Sequence, residues 1–168
     1  CDAFSILFEF GKGNVQKGGA YLAKAVGGRG MVIGQVKDCK IPQNERTVEV
    51  LSEINLQKTA ALITASTAGA TAWLDAEDEQ IQALEKYGIN LGLAFQITDD
   101  ILDITSTTEE LGKKVGSDAA LNKITYPSLL GIEKSSALAT EHIRIALKSL
   151  EVFEGSLFKT VLTELAEY

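Results

Sequence analysis

The chain has 168 residues, 45% of them hydrophobic, and a formal net charge of −7. This is enough apolar material for one full core, so a single domain spanning residues 1–168 is expected, and a disordered, collagen-like or disulfide-stapled class is excluded. The acidic balance also excludes a nucleic-acid binder, which needs a basic face, so any anionic ligand must be held locally by a few lysines or a metal.

Apolar residues recur at spacings of three and four, alternating strand patterns are scarce, and only Pro42 and Pro127 punctuate the chain. An all-α fold follows, with helices expected at about 2–10, 17–38, 45–74, 78–105, 135–151 and 157–167. The chain opens in an apolar helical pattern, DAFSILFEF; GKGNVQKGG and, further on, VGGRG lack the spacing of a phosphate-cradling loop. In MVIGQVKD, Gly34 sits inside a helix ahead of Gln35 and Asp38 at a cost of about 1 kcal/mol relative to alanine, which points to a close packing partner. Asn44 is the expected N-cap of the next helix, where LQKTAALI sets Lys58 and Thr59 into an apolar run. The following TAALITASTAGATAWL is crowded with small residues that allow neighbouring backbones to approach closely. Ala60 to Leu74 is too short and too often interrupted for a bilayer span.

The helix at 78–105 carries Asp99, Asp100 and Asp103 among Leu91, Leu93, Ala94, Phe95, Ile97, Ile101, Leu102 and Ile104. Asp99 and Asp103 share a face one turn beyond Gln96, and Asp100 is turned about 100° away. Carboxylates in apolar surroundings need compensation, and hard divalent cations supply it. Mg²⁺ binds through one or two carboxylates and completes its shell with water and phosphate oxygens, so this cluster is a candidate diphosphate platform. Lys113, Lys114 and Lys123 follow in a stretch broken by Gly112, Gly116 and Pro127, with one helical turn expected at TTEEL, and offer point charges to the phosphates. Lys58 is a further candidate, although a lone lysine on such a helix commonly snorkels to the surface. Ser135 is the expected cap of the next helix, and its His142, the only histidine, is read as structural or exposed rather than as a base. Cys1 and Cys39 offer at most one bridge in a chain that does not need it, which points to the cytosol.

GMVIGQVKD, QKTAALI, YGINLGLAFQITDDILD, LGKKVGSD and NKITYPSLLG together, in this order, resemble the second half of a trans-isoprenyl diphosphate synthase of the polyprenyl synthetase family. The resemblance implies an isoprenoid-synthase-type helical bundle, here incomplete on its N-terminal side. It implies a homodimer without a membrane span that condenses isopentenyl diphosphate with an allylic diphosphate (dimethylallyl, geranyl or farnesyl) using Mg²⁺, giving a C15 or C20 product. By this likeness Asp99, Asp100 and Asp103 form the second aspartate-rich metal motif. Lys58, Lys113 and Lys123 grip the allylic diphosphate, and Thr59 and Gln96 lie beside the reacting carbons. Asn55 and Ala60 stand where such families often have histidine and glycine. The first aspartate-rich motif and the isopentenyl diphosphate site belong to the family's first half, so the stretch alone is expected to be inactive. The competing expectation is a non-catalytic accessory subunit.

Overall fold

A computed structural model describes residues 2–106 and 123–168. In chain order the described helices are α1 (Asp2–Phe10), α2 (Val15–Val26), α3 (Met31–Lys40), α4 (Val48–Asn55), α5 (Ala61–Trp73), α6 (Asp78–Thr105), α7 (Tyr126–Leu130), α8 (Ile132–Ser149) and α9 (Leu157–Glu167). No strand occurs among the described residues, so the all-α expectation holds. Short 3₁₀ turns lie at Gln43–Glu45 and Leu150–Val152, and a π-turn at Leu56–Ala60 joins α4 to α5.

α6 is the axis of the assembly, packed by α5 on one side and α8 on the other. Its start is fixed by a reciprocal cap in which Glu77 and Gln80 satisfy each other's backbone N–H groups, and Asp78 and Glu79 complement the positive end of the helix. One core gathers Leu84 and Tyr87 of α6 with Ala68, Ala146, Leu150 and Ala166. There the fully buried Tyr87 hydroxyl donates to the Leu162 carbonyl at 2.7 Å. The second core joins Leu51, Ile97, Ile124, Tyr126 and Ala139 and lies beneath the C-terminal half of α6. Each large apolar side chain so buried contributes roughly 1.5–3 kcal/mol.

The close approach anticipated for the small residues of α5 is present: a Cβ on Gly88 of α6 would sit 2.7 Å from the Thr64 Cα. Four boundaries differ from the sequence reading. The helix expected at 17–38 is two helices, because three glycines within VGGRG each cost about 1 kcal/mol against helix and together end it. The helix expected from 45 begins at Val48, capped by the Thr47 hydroxyl rather than by Asn44, which lies in a 3₁₀ turn. α8 begins at Ile132; Ser135, buried inside it, donates to the Gly131 carbonyl at 2.8 Å instead of capping. The short α7, capped by Thr125 and Ser128 in reciprocal fashion, was not anticipated. The turn expected at TTEEL lies outside the described residues, as do Cys1, Lys113 and Lys114. Cys39 is a free, exposed thiol. Among the described residues no helix is long and apolar enough to cross a membrane.

Candidate functional site

The acids of α6 divide into three roles. Asp100 is 3% exposed, and both its oxygens accept hydrogen bonds: Oδ1 from the Gln96 amide at 3.0 Å and Oδ2 from the Tyr126 backbone N–H at 3.1 Å. It thereby ties the start of α7 to α6 and orients Gln96. Asp99 is half-buried and faces a cavity. Asp103, in the last turn of α6 and 1% exposed, is buried and does not line that cavity. Of the three carboxylates expected to act together, Asp99 and Asp100 line this cavity.

Across from them stands the π-turn. The extra residue it inserts sets Lys58 and Thr59 at a register no straight helix provides. The Thr59 hydroxyl donates to Gln96 Oε1 at 3.0 Å, so a continuous chain of hydrogen bonds runs Thr59–Gln96–Asp100–Tyr126 and fixes which end of the Gln96 amide faces which neighbour. Lys58 Nζ lies 2.6 Å from Asp38 Oδ2. This pair exists because α3 docks tightly on the π-turn: a Cβ on Gly34 would fall 2.4 Å from the Lys58 backbone nitrogen. The packing partner expected for Gly34 is thus the segment that carries Lys58.

Asp38, Leu51, Asn55, Lys58, Gln96, Asp99, Asp100, Lys123, Ile124 and Thr125 enclose a cavity of about 320 Å³. Of the residues singled out in the sequence, Lys58, Gln96, Asp99, Asp100 and Lys123 meet there, and Thr59 reaches it through its bond to Gln96. Lys113 lies outside the described residues. The other five lining residues, Asp38, Leu51, Asn55, Ile124 and Thr125, were not among the sequence candidates for the site. Asp38 was flagged only as part of a motif, and Asn55 only as a departure from one. Asn55 is 3% exposed, and its Nδ2 is buried without a hydrogen-bond partner among the described residues. Beside it, burial raises the Tyr126 phenol pKa, opposed by its hydrogen bond with the Ser52 hydroxyl and reinforced by the charge of Asp100. The walls are mainly polar, contrary to the apolar surround read from the sequence. Leu93, Ala94 and Ile97 are buried in the core, and Phe95 and Ile104 are 60% and 50% exposed and do not line this cavity.

The donor set fits a hard cation with an incomplete shell. Asp99 and the rim of Asp100 offer carboxylate oxygens without sulfur or imidazole, and Lys58 and Lys123 line the same cavity. No group of three or more potential metal ligands occurs among the described residues. His142 does not line this cavity. Its Nδ1 lies 2.8 Å from Asn90 Oδ1 at the α6–α8 contact, and burial lowers its pKa, as expected of a structural histidine.

The polyprenyl synthetase family profile matches residues 13–161, nearly the whole chain. The chain belongs to the polyprenyl synthetase family. This polyprenyl synthetase chain is 41% identical over 150 residues to geranylgeranyl pyrophosphate synthase 7, chloroplastic, of Arabidopsis thaliana, an alignment covering 88% of it and 43% of that relative. It is 40% identical over 150 residues to the heterodimeric geranylgeranyl pyrophosphate synthase large subunit 1, chloroplastic, of the same plant, covering 88% and 40% respectively. The chain thus spans less than half the length of these curated relatives. Among solved structures, a geranyltransferase from Helicobacter pylori complexed with magnesium and isoprenyl diphosphate superposes with a TM-score of 0.79 at 29% identity, covering 96% of this chain and 53% of that one. The described helices therefore form the all-α isoprenoid-synthase fold.

Proposed function

We propose that the protein containing this polyprenyl synthetase chain is a trans-prenyltransferase that condenses isopentenyl diphosphate with an allylic diphosphate, and that the cavity between α6 and the π-turn holds the allylic diphosphate. One observation carries the reading: carboxylates from one helix and lysines from two other segments converge on a single cavity of about 320 Å³.

Asp99, with Asp100 at the edge, would hold magnesium there. When bound, the metal supplies positive charge to a diphosphate leaving group. Lys58 and Lys123 take phosphate oxygens as point charges and stabilise the negative charge that grows as the allylic C–O bond breaks. Thr59 has turned its proton toward Gln96, so the lone pairs of its oxygen remain as a neutral dipole for an allylic cation without forming a bond to it. Gln96 is held by Thr59 on its oxygen and by Asp100 on its nitrogen and cannot rotate freely. No histidine lines the cavity among the described residues; the released diphosphate accepts the final proton in this scheme.

The relatives' names favour a C20 product over C15, and a homodimer remains part of the proposal. We also keep the cytosol as the compartment, on cysteine usage; recovery of the full-length protein in plastids, the location the relatives' names state for them, overturns that. An accessory role is disfavoured because an accessory chain has no chemical need for Asp99, Lys58 and Lys123 around one cavity. The test is incubation of the full-length protein with radiolabelled isopentenyl diphosphate and each allylic primer, with and without Mg²⁺. A single Mg²⁺-dependent C20 product is expected; no elongation with any primer contradicts the reading.

A further inference from the structure

We infer that Asp38 is a positioning residue for the allylic-diphosphate lysine: it holds the Lys58 ammonium at the cavity wall, away from Asp99 and Asp100. The inference rests on the reading of the cavity given above. Asp38 comes from α3, a different helix from the acids of α6, and its side chain is only 8% exposed against 24% for Lys58. A carboxylate so enclosed is costly unless paired, and at 2.6 Å the Lys58 ammonium is its partner.

The pairing leaves the lysine usable. An ammonium has three donors, so one engaged by Asp38 leaves two for phosphate oxygens. Lysine is also a flexible point charge on a four-carbon stem, and Asp99 and Asp100 line the same cavity. Without an anchor the ammonium is drawn to those carboxylates and cancels the negative charge that a divalent cation needs. Asp38 prevents this because its own position is fixed. Gly34, one turn earlier on α3, brings the α3 backbone into contact with the Lys58 backbone, and no side chain at Gly34 would allow that approach. Helix, glycine and carboxylate thus act together on one lysine.

The test uses the full-length protein with Asp38→Asn, Asp38→Glu and Lys58→Gln. Asp38→Asn keeps the shape and loses the charge; it is expected to raise KM for the allylic diphosphate at least tenfold while kcat and KM for isopentenyl diphosphate change less than about threefold. Asp38→Glu, which keeps the charge, is expected to restore most of the affinity. An unchanged allylic KM in Asp38→Asn overturns the inference, and so does an equal fall in kcat, affinity and melting temperature that Asp38→Glu does not rescue. Lys58→Gln separates the two levels of the argument. If it leaves allylic KM unaltered, the assignment of Lys58 to the diphosphate fails; if it weakens binding while Asp38→Asn does not, only the positioning role fails. Should Asp38→Asn not fold, a crystal structure of the wild-type protein with Mg²⁺ and inorganic pyrophosphate decides. Lys58 Nζ is expected within roughly 3.2 Å of both Asp38 and a phosphate oxygen, and a lysine swung onto Asp99 or Asp100 overturns the inference.

Discussion

Asp99 and Asp100 are neighbours in the chain and line the same cavity, yet Asp100 also ties the fold together. Asp100 spends both oxygens on Gln96 and on the Tyr126 N–H, so Asp100→Ala removes two hydrogen bonds to a charged acceptor and leaves a buried backbone donor unsatisfied. A loss of about 2–4 kcal/mol is expected from the shift in urea midpoint. Asp99 is half-buried and faces the cavity, so its replacement is expected to cost less than about 1 kcal/mol. The spacing of the acids was legible, but this division of roles was not: it depends on Tyr126, which arrives 26 residues later in the chain. His142 carries a pH dependence. Burial lowers its pKa from the usual 6.5, so the folded state binds its proton less readily than the unfolded chain does. Its stability term is complete above pH 6.5 and is lost as pH falls below that value toward the depressed folded pKa. Urea midpoints at pH 7.5 and 5.5 should therefore differ, with the lower stability at the acid value, and His142→Gln should narrow the difference.

At the level of elements, the site depends on two close backbone approaches. Gly34→Ala would place a methyl group 2.4 Å from the Lys58 nitrogen, and Gly92→Ala one 2.5 Å from the Ala60 Cα, so in each case backbone must move. Each substitution is expected to cost roughly 1–3 kcal/mol, readable as a fall in melting temperature of several degrees. Gly34→Ala should also weaken diphosphate binding, since α3 and Lys58 separate. Helix periodicity was enough to locate α6 and α9 at their observed bounds. It failed where one or two residues decide: the glycines that part α2 from α3, and the π-turn, whose extra residue leaves no mark in a pattern of threes and fours. Lys58 and Thr59 could be picked out by type, but not the register that turns them toward Gln96.

At the scale of the molecule, the described helices leave several large apolar side chains uncovered. Ile6 and Phe8 of α1 are 60% and 61% exposed, and Leu157, Val161 and Leu165 of α9 are 81%, 52% and 56% exposed. Faces of this kind associate in water. The isolated 168-residue chain is expected to elute from size-exclusion columns ahead of a monomer and to bind a hydrophobic dye, whereas a sharp monomer peak without dye binding would show that these faces tolerate solvent. The exposed faces were not foreseen, because periodicity reports that a helix has an apolar stripe and not what meets it.

The most direct test of the whole account is the turnover of the full-length protein carrying Asp99→Ala, measured with saturating Mg²⁺, isopentenyl diphosphate and allylic primer beside a urea unfolding curve of the same preparation. The account expects turnover to fall at least a hundredfold with the unfolding midpoint nearly unchanged. Turnover within threefold of wild type would contradict it.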